Sequence, residues 1–163
     1  MSISDSRNFK QRGDEMKNDN SEITGEETLT FPDGSEYKGQ IKDGKPHGRG
    51  IFTTPVGTQY AGQWENGNRH GNGTFIFPDG SEYTGQCKDD HMHGEGTLTF
   101  SDGRKYEGQY KNGEPNGKGI VTFPDGGTYE GQFKDGKPNG EGTMTLPDGS
   151  KHEAQFKDGN IYH

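Results

Sequence analysis

His47, His70 and His93 stand 23 residues apart, and evenly spaced imidazoles suggest a metal-binding column. The next two positions of that column are Asn116 and Asn139, however. Asparagine is a poor soft-metal ligand but, like histidine, tolerates turn backbone with positive φ, so a turn role accounts for every member. Cys87, His91 and His93 are close in sequence, but a strand and a turn would separate them. Asp43, Asp89, Asp135 and Asp158, and the Pro-Asp-Gly acids Asp33, Asp79, Asp125 and Asp148, offer one carboxylate per loop. Calcium needs several oxygens converging from one loop, so these read as turn-initiating aspartates. The recurring Gly-x-Gly (Gly48/Gly50 through Gly140/Gly142) lacks the Lys-Ser/Thr and following helix of a phosphate loop. Lys42, Lys88, Lys111, Lys134 and Lys157 form a ladder that could meet an anionic surface, but each precedes Asp, Glu or Asn. No Ser-His-Asp or paired-carboxylate set departs from this background, so no enzyme, cofactor or metal site is expected.

The spacing itself is the stronger signal. Tyr37, Tyr60, Tyr83, Tyr106 and Tyr129 recur every 23 residues, each followed by Gly at +2 and Gln at +3. A fixed period of this size marks one supersecondary unit stacked on copies of itself. Residues 1–23 carry no apolar periodicity and read as a disordered tail. Residues 24–163 read as the array: a half-unit at 24–33, full units at 34–56, 57–79, 80–102, 103–125 and 126–148, and a capping half-unit at 149–163, where His152 and Ala154 replace Tyr and Gly.

Each unit reads as a β-hairpin. Glu36 to Lys42 alternates polar with apolar or glycine positions, the period of a strand with one wet face. Asp43 to Gly48 supplies a turn, and Gly50 to Thr54 a second strand. Pro-Asp-Gly at 32–34, 78–80, 124–126 and 147–149 suits a tight turn to the next hairpin. Only 22% of residues are hydrophobic, and mean hydropathy is -1.27. That is too little for two packed layers, so the fold class predicted is all-β: a single-layer, elongated, twisted antiparallel sheet of tandem hairpins. Glycines beside each tyrosine would leave hollows in which rings lie flat.

Two apolar columns follow. One holds Tyr37, Tyr60, Tyr83, Tyr106 and Tyr129 with Phe52, Phe75 and Leu98; the other holds Trp64, Cys87, Tyr110 and Phe133. A one-layer sheet cannot cover both faces, so Trp64, Tyr83, Tyr110 and Phe133 are expected to stay partly exposed. Tyr37, Phe52, Tyr60, Trp64, Phe75, Tyr83, Leu98, Tyr106, Tyr110, Tyr129 and Phe133 are the candidate protein-binding residues, because an apolar patch rimmed by polar groups is a binding surface. A partner helix or extended peptide would lie along it.

Net charge is -8, which disfavours nucleic acid and anionic phospholipid as partners. A peripheral contact with anionic phospholipid is the second reading, and a spacer or edge-paired homo-oligomer the third. No run is long and apolar enough for a transmembrane segment, and the polar start lacks a signal-peptide core, so a cytoplasmic location is the expectation.

The unit Y-x-G-Q-x-x-x-G-x-x-[HN]-G-x-G, clearest at Tyr60 to Gly73, resembles the MORN (membrane occupation and recognition nexus) repeat. The resemblance covers 24–163. It implies twisted sheets of hairpins whose grooved face can receive a partner peptide or helix. It also implies a scaffold or adaptor, in a cytoskeletal, ciliary or membrane-junction assembly.

Overall fold

The computed structural model describes residues 25–162; the tail expected at 1–23 lies outside the described residues. The chain runs β1 (Glu26–Thr30), β2 (Glu36–Lys42), β3 (Lys45–Thr53), β4 (Gln59–Glu65), β5 (Asn68–Ile76), β6 (Glu82–Lys88), β7 (His91–Thr99), β8 (Lys105–Lys111), β9 (Glu114–Thr122), β10 (Thr128–Lys134), β11 (Lys137–Thr145), β12 (Lys151–Lys157) and β13 (Asn160–Tyr162). All are antiparallel neighbours in chain order within one 13-stranded sheet, the single-layer hairpin array that the period predicts. The three-residue strand β13 extends the sheet beyond the first strand of the final half-unit, where the sequence reading stopped.

Within a hairpin the register pins aromatic to aromatic and glycine to glycine: Tyr37 faces Phe52, and Gly39 faces Gly50. The register then shifts, and Ile41 pairs with Pro46, a bulge repeated in the next four hairpins. Gln40 fills the irregularity. Its side-chain Oε1 accepts the Arg49 amide at 2.8 Å, and Gln63, Gln86 and Gln109 serve Asn72, Glu95 and Lys118 in the same way. Gly48, Gly71, Gly94 and Gly117 take up the accompanying left-handed backbone. The recurring glutamine is thus the internal acceptor for an amide that the bulge removes from the ladder.

Turns close each end of the hairpins. Gly34 N–H donates to the Phe31 carbonyl at 2.9 Å, and the Asp33 carboxylate accepts the Ser35 amide at 2.8 Å. The same side-chain turn recurs at Asp79, Asp102, Asp125 and Asp148. Hydrogen bonds from the residue two positions on hold the Asp79, Asp102 and Asp148 carboxyls below their ordinary range. Val56 interrupts this series, and there the Thr54 hydroxyl accepts the Thr58 amide instead.

The tyrosines do lie in glycine hollows. A methyl group on Gly50 would collide with the Tyr37 ring, and one on Gly73 with Tyr60. Four of the five repeat hydroxyls reach past the glycines to donate to a backbone carbonyl: Tyr37 to Gln40 at 2.6 Å, Tyr60 to Gln63 at 2.8 Å, Tyr83 to Gln86 at 2.7 Å and Tyr106 to Gln109 at 2.8 Å; the Tyr129 hydroxyl is buried without this bond.

Candidate functional site: two unlike faces of one sheet

The candidate residues Tyr37, Phe52, Tyr60, Trp64, Phe75, Tyr83, Leu98, Tyr106, Tyr110, Tyr129 and Phe133 all belong to one cluster on one face, and all are buried. The expected exposure of Trp64, Tyr83, Tyr110 and Phe133 is therefore corrected: even Trp64 is only 3% exposed. The physical reason is that the rings cover one another. Trp64 stands edge-on between Tyr37 and Tyr60, with centroids 5.2 Å from each. Tyr110 bridges Tyr83 and Tyr106, and Phe133 bridges Tyr106 and Tyr129. Such edge-to-face contacts are favourable beyond area burial, by about 0.5–1.5 kcal/mol each. The row is also flanked. Phe31 and Phe77 close one side, 5.9 Å from Phe52 and 6.0 Å from Phe75. Pro46, Arg69 and Met92, cross-strand partners of Ile41, Trp64 and Cys87, close the other. One narrow line of rings can be sealed this way by a single sheet.

Burial keeps these hydroxyls protonated. Tyr37, Tyr60, Tyr83 and Tyr110 are pushed far above the usual phenol range, and Tyr106 to about 12, by desolvation first. The Cys87 thiol rises to about 11 for the same reason, against the opposing influence of Arg69 and a hydrogen bond with Tyr60. A thiol held neutral this way is packed and unreactive.

Arg69 escaped the sequence reading. Its side chain is 2% exposed, its Nε donates to Asp90 Oδ1 at 2.9 Å, and its guanidinium lies 5.2 Å from the Phe75 ring centroid. The signal was present as three departures in register. Cys87 stands in the column otherwise filled by Ile41 and rings, Arg69 in the column of Pro46, Met92, Pro115 and Pro138, and Asp90 where other turns have Gly44, Gly67, Gly113 and Gly136.

The histidine column also differs from expectation. His47 and its equivalents do not occupy the positive-φ positions; the Asp or Asn that opens each turn and the neighbouring glycines do. Instead His47 Nδ1 accepts the Asn66 amide at 3.2 Å, and Asn139 Oδ1 accepts the Asp158 amide at 3.2 Å. Here the His/Asn position ties one hairpin turn to the next. Among the described residues no three His, Cys, Asp or Glu side chains gather as a metal site.

The opposite face is curled into an open trough of about 1130 Å³ across β7 to β13. Its floor includes Glu107, Ile120, Glu130, Thr143 and Glu153, with Glu95, Lys118 and Glu141 beside them. Ile120 is 38% exposed.

Consecutive copies of the MORN repeat match residues 37–59, 60–82, 83–103, 106–128 and 129–151. The chain belongs to the MORN-repeat family. No curated protein matches it in sequence. Among solved structures, this MORN array is similar to the TCP10 domain of Danio rerio CPAP: TM-score 0.50, 17% identity, covering 85% of this chain and 66% of that one. The MORN array thus spans just under two thirds of that neighbour's length, and the likeness is one of fold. The TCP domain of Drosophila melanogaster SAS-4, solved in complex with a proline-rich motif of Ana2, aligns with TM-score 0.46 and 12% identity over 93% of this chain and 98% of that one. A CPAP G-box domain aligns with TM-score 0.37 and 18% identity over 82% and 99%. No helix among the described residues is long and apolar enough to cross a membrane.

Proposed function

We propose that this MORN array is a non-enzymatic scaffold that binds a segment of a partner polypeptide along the curled polar face of its sheet. The observation that carries this reading is the division of labour between the faces. The aromatic face is consumed by its own packing, while the other forms a trough with an exposed Ile120 on its floor. Its volume of about 1130 Å³ exceeds the range of roughly 300–1,000 Å³ typical of small-molecule pockets, and it is open along its length. A polypeptide segment suits that shape. The buried aromatic candidates serve the same role from beneath, as the spine that holds the trough's curvature; direct contact by their rings would require the sheet to open.

Substituting Ile120→Arg together with Thr143→Arg tests the reading, compared with Trp64→Ala plus Tyr110→Ala. The trough pair is expected to remove partners recovered by affinity purification while leaving the thermal transition within a few degrees of wild type. The aromatic pair is expected to lower the transition itself. Full partner recovery by a folded trough variant overturns the trough as the docking face. We assign the scaffold to a cytoskeletal, ciliary or membrane-junction assembly on the family resemblance alone; localisation of the tagged protein to none of these would withdraw the assignment.

A further inference from the structure

We infer that the segment this trough accepts is basic: a stretch of chain carrying lysine or arginine at intervals of about 10 Å, with an apolar side chain between them. The inference rests on the docking reading above and adds the chemistry of the partner.

Across the trough floor, Glu107, Ile120, Glu130, Thr143 and Glu153 are successive cross-strand partners on β8 to β12. Strands lie about 4.8 Å apart, so the carboxylate-bearing positions recur every ~10 Å along the array, with an isoleucine and a threonine between them. A second row alongside adds Glu95, Lys118 and Glu141. Five carboxylates therefore face three ammonium groups around the trough, Lys118 and Lys151 of its lining and Lys105 beside Glu107. Glu107 has an exposed ion pair with Lys105 at 3.0 Å, of the kind that contributes little. Among the described residues Glu95, Glu130, Glu141 and Glu153 have none.

The hairpin fold does not impose this charge. The positions of Glu107, Glu130 and Glu153 are taken by Lys38, Ala61 and Thr84 in the first three units, on the same face and in the same register. The face therefore changes sign along the array, from lysine and neutral residues to a glutamate ladder where the trough lies. A concave surface of one sign focuses its field and favours a partner of the opposite sign, excluding anionic lipid and nucleic acid. Three residues of chain in the polyproline II conformation make one turn of about 9 Å, so cations at every third position would line one side and meet successive glutamates, with the apolar side chains between them beside Ile120.

The probe is a fluorescent peptide of four Arg-Leu-Ser triplets, compared with peptides of four Ser-Leu-Ser and four Glu-Leu-Ser triplets. Binding to the full chain is measured by anisotropy across a salt series and located by hydrogen exchange. The arginine peptide is expected to bind saturably, protect β8 to β12, and weaken as salt rises. It should bind at least tenfold more tightly than the serine peptide, and the glutamate peptide should not bind. Glu107→Gln, Glu130→Gln and Glu153→Gln combined, all on exposed side chains, should cost at least tenfold in affinity with an unchanged melting curve. If arginine and serine peptides protect the trough equally and the triple variant binds as wild type does, the basic partner is overturned and the trough stands. If no peptide protects β8 to β12, or protection falls elsewhere, the docking reading falls with it.

Discussion

The buried Arg69 guanidinium is held by Asp90, a residue that itself sits in left-handed backbone at φ 75°. The contact is double: the Asp90 carboxylate also accepts the Arg69 amide at 2.9 Å, and the Asp90 amide donates back to the Arg69 carbonyl at 3.0 Å. Asp90 occupies a turn position that is glycine in the other hairpins, so the pair keeps an unfavourable backbone conformation in exchange for neutralising a buried cation. Cys87 completes the set, because its small side chain leaves room that Arg69 fills beside Tyr60 and Phe75.

Asp90→Gly should relieve the turn yet leave Arg69 charged and uncompensated. Because Asp90 is partly exposed, we expect a net loss of about 2 kcal/mol, below the 3–5 typical of fully buried pairs. Combining Arg69→Met, Cys87→Tyr and Asp90→Gly copies the neighbouring set Met92, Tyr110 and Gly113 and should recover at least that loss. Urea unfolding of the single and combined variants checks the coupling; purely additive effects would deny it.

Gly73→Ala would place a methyl group against Tyr60, near the upper end of the 1–3 kcal/mol overpacking range. Gly80→Ala meets no heavy atom within 4 Å but takes left-handed backbone at φ 91°, so only about 1 kcal/mol is expected. Thermal denaturation of the two variants separates the hollow from the turn. Equal losses would mean that the ring does not need the glycine.

Cys87 should resist alkylation. With the thiol raised to about 11 and buried, iodoacetamide at neutral pH should label the folded chain orders of magnitude more slowly than the urea-unfolded chain, as mass spectrometry would record. Comparable rates would place the thiol outside the ring stack.

Alkaline pH should unfold the array cooperatively. The repeat tyrosines have folded-state values above that of free tyrosine near 10, so their contribution is complete below pH 10 and is lost as pH rises toward those folded values. Phenolate absorbance should rise together with loss of the β-sheet circular dichroism signal. A gradual rise centred near pH 10 with the sheet intact would show the rings to be solvated.

Much of this molecule could be read from its residues, because a strict 23-residue period transmits strand, turn and register from one unit to the next. Alternation located the strands, Pro-Asp-Gly the turns, and the paired glycines the hollows beneath Tyr37 and Tyr60. These are local rules, satisfied within one hairpin or between neighbours. Which face remains open is a different kind of fact. Whether Trp64 is covered depends on Tyr37 arriving from β2 to meet it opposite Tyr60 of its own strand, and whether Glu107, Glu130 and Glu153 share a trough depends on how the sheet curls. The trio Arg69, Cys87 and Asp90 likewise makes sense only when its members meet, since none departs from the repeat for a reason visible at its own position. Packing and curvature are collective properties of the folded sheet, and they turned the apolar stripe into a spine and the polar face into the surface on offer.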